Sequence, residues 1–234
     1  MPKWTNRYTE ARRHAKGALG VAKKLFDYVD TGSGRPSEKE RALYAAITVF
    51  LYGIWENYVE QLAIELIRHI SGSIEPSRVP QSVRNLLEKK PTWDLLIDPG
   101  WRSLWAQEVE REAIGSNTGG YGLNTAKSNN VNKLFQVVGI ENIMSHMNNF
   151  PEEKLPSHIL ESLTIASTEG KVRETLDSFV KLRGEIVHTG KAPTSLRKQH
   201  IGEWRDFIDQ LIDSFDKTCR ELSGNLLRGD SPAS

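Results

Sequence analysis

Two residues in this sequence stand out for chemistry, Arg183 and His188, five positions apart. Histidine, with an ordinary pKa of about 6.5, can take up or release a proton at neutral pH. Arginine can bind a phosphate with two donors and stabilise negative charge building there. On a helical wheel of about 100° per residue, Arg183 falls at the centre of an apolar stripe of Val172, Leu176, Phe179, Val180 and Val187. A guanidinium cannot be buried there unpaired without a large cost. It needs an acid on another helix, such as Glu56 or Glu60, an acid across a subunit interface, or the phosphate of a ligand. His188 lies about 140° further round the wheel unless the helix end at Thr189 and Gly190 redirects it. Its plainer reading is a C-terminal histidine whose protonated form suits the helix dipole.

The elements that must position this pair read as helices, with no alternating strand pattern anywhere. The spacing predicts a helix from about Thr168 to His188, ended by Thr189 and Gly190 and barred from continuing by Pro193. A closing helix follows from about Thr194 to Ser223. Earlier in the chain, Ser37 and Glu40 form a capping box. A long apolar stripe from Leu43 to Ile70 then predicts a central helix stopped by Gly72. Between these, residues 74–165 read as an irregular insertion. Four prolines break up 74–100, helices are expected at Trp101–Ile114, Val131–Gly139, Ile140–Met147 and Ser157–Ile165, and the Gly- and Asn-rich stretch 115–132 reads as a mobile surface loop. The expected architecture is all-α: an up-and-down helical bundle in one domain, residues 1–225, with a flexible tail at 226–234.

Composition narrows the function classes. The 234 residues carry 31 Lys and Arg against 30 Asp and Glu, so neither a basic nucleic-acid coat nor an acidic tail is present. A hydrophobic fraction of 38% and a charged fraction of 26% suit a globular protein. The single cysteine, Cys219, allows no internal disulfide and no Cys-based zinc site. His14, His69, His146 and His158 show no metal spacing, and no metal or cofactor is expected. The uncharged run Ala42–Trp55 is too short to span a bilayer, which needs about 20 residues. The basic amphipathic stretch 3–24, with Trp4 and Phe26 on one face, reads as a packed first helix rather than a targeting segment. A cytoplasmic protein without membrane association is the expectation.

The string Leu182-Arg183-Gly184-Glu185-Ile186-Val187-His188-Thr189-Gly190 resembles the signature of the HEPN superfamily, an arginine followed after four to six residues by a histidine. The segment Phe50-Leu51-Tyr52-Gly53-Ile54-Trp55-Glu56-Asn57-Tyr58 resembles the aromatic-plus-acid segment of its stand-alone RiboL-PSP-HEPN branch. The resemblance implies a bundle that pairs as a symmetric homodimer. It further implies an RNA-cleaving enzyme of a toxin–antitoxin or antiviral defence system, with an antitoxin or defence protein as partner. His188 would be the acid–base residue, Arg183 the phosphate clamp and Glu56 a group orienting Arg183. No metal is needed for such cleavage, and the products would carry 2′,3′-cyclic phosphate and 5′-hydroxyl ends.

The family often has Asn, Asp or His after the motif arginine, where this chain has Gly184. That departure favours a weak, selective or inactive member. Lys191, Arg197, Lys198 and His200 follow the motif and suit contacts to an RNA backbone. Two other readings stay open: a non-catalytic module that dimerises or binds a nucleotide or protein, and a structural helical protein in which Glu56 satisfies Arg183.

Overall fold

In the computed structural model, residues 8–29, 35–88, 100–115 and 122–229 are described. Ser37 begins the longest helix. Its hydroxyl accepts from the Glu40 N–H, and the Glu40 carboxylate accepts from the Ser37 N–H, so the predicted capping box is formed. This helix, α2, spans Glu38–Ser71. Leu51, Trp55, Tyr58, Val59 and Leu62 on it are fully buried, and buried residues cover most of its circumference, leaving one face with the exposed Asn57, Gln61 and Arg68.

The elements around it, in chain order, are α1 (Glu10–Asp27), α3 (Gln81–Leu87), α4 (Gly100–Ile114), α5 (Ser128–Val138), the single turn α6 (Ser157–Leu160), α7 (Thr168–Thr189) and α8 (Lys198–Arg228). Short 3-10 turns occupy Pro76–Arg78, Ile143–Asn149 and Glu152–Lys154. The described residues contain helices and no strands. The fold is an all-helical packed bundle in which α2 contacts α1, α4, α5, α7 and α8.

Aromatic rings join the layers. Phe215 of α8 meets Trp55 of α2 edge-on at 5.5 Å and Phe135 of α5 at 5.1 Å. Phe179 of α7 lies 4.9 Å from Trp204 of α8. The first helix is docked by charge as well as by Ala15, Leu19 and Ala22. Arg12 pairs with Asp213 at 2.8 Å, and Lys16 pairs with Asp209 and Asp213. These cations of the predicted basic helix are therefore matched by acids of α8; Trp4 lies outside the described residues.

Three expectations change. The closing helix starts at Lys198 and runs to Arg228, past the predicted end at Ser223 into the stretch expected as tail. The helix expected over Ser157–Ile165 is one turn, ending at Leu160. The stretch expected as a mobile loop is anchored where described. Ser128–Asn132 belong to α5, and the buried Ala126 accepts from Trp55 Nε1 at 2.9 Å and donates to the Tyr52 hydroxyl at 3.1 Å. Gly122 closes the base of this stretch. An added Cβ there would stand 2.5 Å from the Gly115 nitrogen, a backbone atom that cannot give way.

Candidate active site

The motif helix α7 begins with Ser167, whose hydroxyl accepts from the Gly170 N–H. It ends at Gly190 in the left-handed region, φ 69°, where the Gly190 N–H reaches the Ile186 carbonyl at 2.8 Å. The predicted stop is correct, and glycine suits it because other residues resist positive φ. The buried line along α7 is Val172, Leu176, Phe179 and Ile186, flanked by Thr175. Val187, expected in the stripe, is instead 51% exposed. Arg183 keeps its place on the buried line, between Phe179 and Ile186.

Arg183 pairs with neither Glu56 nor Glu60. Its guanidinium lies over the Tyr52 ring, 4.5 Å from the centroid, and its buried Nε has no hydrogen-bond partner. No ion pair to Arg183 occurs among the described residues. Glu56 stands on the same tyrosine: the Tyr52 hydroxyl donates to Glu56 Oε1 at 2.6 Å. Acid and arginine thus meet through a buried phenol, not directly. Burial first, then the bond to Glu56, pushes the Tyr52 pKa well above its ordinary value, so the hydroxyl keeps its proton. One turn further along α2, Glu60 is half-buried beside Glu56, and burial followed by the Glu56 charge raises its pKa to about 7.

His188 is exposed. The helix continues through Thr189, so nothing redirects the imidazole, and it stays on the flank about 140° from Arg183. One chain does not bring the two motif side chains together.

The cationic residues after the motif divide. Lys191 lines a cleft of about 430 Å³ between the start of α2 and the end of α7, together with Glu38, Arg41 and Thr194. Arg41, half-buried and unpaired among the described residues, was not legible from the spacing. Arg197 turns onto the Thr194 and Leu196 carbonyls. Lys198 is committed inward: it donates to the Val29 carbonyl at 2.7 Å and stands over the Phe26 ring. His200 stacks on His158 at 4.2 Å, and His158 Nδ1 lies 2.7 Å from Glu203.

Among the described residues no group of three or more His, Cys, Asp or Glu is placed to hold a metal ion, and no helix is long and apolar enough to cross a membrane.

Sequence reasoning missed Tyr52 as a site residue, although it lies within the segment quoted for its aromatic and acidic character. A family model for RiboL-PSP-HEPN matches residues 22–221, a span that holds α2, α7 and the Arg–His motif. No curated protein and no solved structure gives a significant match. The chain belongs to the RiboL-PSP-HEPN family, helical domains to which ribonuclease activity is ascribed.

Proposed function

We propose that this RiboL-PSP-HEPN protein is a metal-independent endoribonuclease acting as a homodimer. The observation that carries the reading is Arg183: a partly buried guanidinium with no acid paired to it, on the motif helix, ready for an anion. Because His188 lies on another flank of α7, the reading requires two copies of that helix about a twofold axis. The exposed apolar Val187 beside His188 supports such a contact.

In this mechanism one His188 takes the proton from a ribose 2′-hydroxyl. The 2′-oxygen forms a bond to the neighbouring phosphorus, and the bond from phosphorus to the 5′-oxygen breaks. The leaving oxygen receives a proton from the second His188, acting as acid. Arg183 stabilises the charge on the equatorial oxygens of the phosphorane. The products are 2′,3′-cyclic phosphate and 5′-hydroxyl ends, and DNA, lacking the 2′-hydroxyl, resists. Lys191 and Arg41 at the cleft, with Arg197, are suited to the flanking RNA phosphates. Placement in a toxin–antitoxin or antiviral defence system, under control of an antitoxin or defence partner, completes the reading.

A second reading, a non-catalytic module that dimerises or binds a nucleotide or partner, draws on Gly184 and on the separation of Arg183 from His188 within one chain. Cleavage of total RNA and of a labelled oligonucleotide in EDTA, beside Arg183→Ala and His188→Ala, tests the two. Cyclic-phosphate ends from wild type, lost in both variants, support the enzyme. Absence of cleavage with dimerisation retained supports the module.

A further inference from the structure

We infer that Tyr52 is a positioning residue for Arg183: its ring carries the guanidinium while its hydroxyl holds Glu56 away, leaving the arginine's charge available to a phosphate. The inference rests on the proposed role of Arg183 as phosphate clamp.

The Tyr52 oxygen is fully committed. A phenol has one donor, and it goes to Glu56 Oε1 at 2.6 Å; the oxygen in turn accepts the Ala126 N–H at 3.1 Å. With 1% of the residue exposed and both ends of this chain of bonds fixed, the ring is held in one orientation. Arg183 lies on its face at 4.5 Å.

A ring face attracts a cation without using any of its N–H donors. That matches Nε, which is buried and has no acceptor. An ion pair with Glu56 would do the opposite: it would satisfy the donors and cancel the charge. Glu56 is one helical turn from Tyr52 and on the same ring as the guanidinium. The hydroxyl is thus the group that separates the two charges. A phenol is protonated throughout the neutral range, and burial displaces the pKa of this one further upward, so it remains a donor.

Phenylalanine at 52 would keep the ring but release Glu56 to pair with Arg183. Tyr52→Phe is therefore expected to lower kcat about tenfold. Glu56→Gln alone stays within about twofold of wild type, since its amide oxygen can still accept the phenol proton. The double variant Tyr52→Phe/Glu56→Gln recovers to within about twofold of wild type, because no carboxylate remains to quench the arginine. A merely structural loss at Tyr52 would not be rescued this way. Tyr52→Phe equal to wild type, or a double variant as poor as Tyr52→Phe, overturns the inference.

A second measurement reads the same arrangement without catalysis. In the full-length wild-type protein the Arg183 Nε–H proton signal, assigned by its loss in Arg183→Lys, is expected to be shifted upfield by the ring it lies over. An ordinary position for that signal in wild type overturns the inference even if neither Tyr52 variant folds. If wild type cleaves no RNA, the nuclease reading falls, and this signal alone still decides the place of Tyr52.

Discussion

Both carboxylate oxygens of Asp177 accept hydrogen bonds from Ser128, Oδ1 from its backbone N–H and Oδ2 from its hydroxyl, each at 2.8 Å. An acid of the motif helix α7 thereby serves the first turn of α5, where the preceding Lys127 supplies no side-chain cap. A negative charge is favourable there because it faces unpaired N–H groups and the positive end of the helix. Two residues earlier, Ala126 is tied to Tyr52 and Trp55 of α2. The motif helix, the Ala126 segment and the ring beneath Arg183 therefore form one connected structure.

Asp177→Ala is expected to cost about 1–2 kcal/mol, the usual range for losing a helix cap. Asp177→Asn retains one acceptor and should lose roughly half as much. Urea unfolding followed by far-UV circular dichroism measures both, and a midpoint for Asp177→Ala equal to wild type would remove this tie from the account of the site.

The long helices were legible because burial imposes a period near 3.6 residues and because Ser37, Glu40 and Gly190 mark helix ends with local chemistry. The stretch 122–132 was not, because what orders it is remote: Tyr52 and Trp55 on one side, Asp177 on the other. The anomaly of Arg183 was legible from the wheel alone. Its partner was not, since a tyrosine on the apolar stripe of a central helix reads as core until its hydroxyl and ring face are located. The same remoteness hid the commitment of Lys198, whose acceptor, the Val29 carbonyl, follows the first helix. His188 illustrates a different limit. The sequence places it about 140° from Arg183, and a straight helix end with Gly190 as cap leaves it there, so what would join the two lies outside a single chain.

Glu60 makes the fold lose stability as the pH rises from acidic to neutral. Its folded pKa of about 7 lies above the ordinary 4.5, mainly through burial. The folded state therefore holds a proton that the unfolded chain releases first, and stability falls as pH rises from about 4.5 through about 7. For a half-exposed carboxyl, solvent screening reduces the effect to about 1 kcal/mol. Glu60→Gln should raise Tm by about 2–4 °C at pH 8 and leave it nearly unchanged at pH 4.5. Thermal melts at the two pH values measure this; an equal gain at both would assign the effect to packing instead of ionisation.

His200 acts in the other direction. Burial, then the positive charge of His158, lowers its pKa, and Arg197 adds to this while Glu203 opposes it. Protonation is thus harder in the fold than in the unfolded chain. The stability is fully present above about pH 6.5 and is lost as pH falls through the lower folded value. His200→Phe preserves a ring to stack on His158 while removing the titrating group. Its urea midpoint should drop less than that of wild type between pH 7.5 and pH 5.5; parallel losses would assign the acid sensitivity to other residues.

Gly184 interrupts the motif with a residue poorly suited to a helix interior, yet a Cβ built there meets nothing within 4 Å among the described residues. No close approach among the described residues requires glycine at this position. Gly184→Ala should therefore stabilise the fold by about 0.5–1 kcal/mol through backbone entropy and helix propensity. That gain corresponds to a rise in Tm of about 1–4 °C for a chain of this size. Self-association provides the sharper discrimination. If the surface around Gly184 is open in the dimer as it is in the single chain, Gly184→Ala leaves the dimer constant unchanged in sedimentation velocity. Gly184→Asn, which supplies the polar side chain often found after the motif arginine in this family, then raises RNA cleavage severalfold. If two copies of α7 cross at Gly184, the methyl group stabilises the folded chain while weakening the dimer. Cleavage then falls with dimer population, which adding more protein restores. A variant that is more stable, fully dimeric and no faster as Asn would show that Gly184 is not what limits the activity of this member.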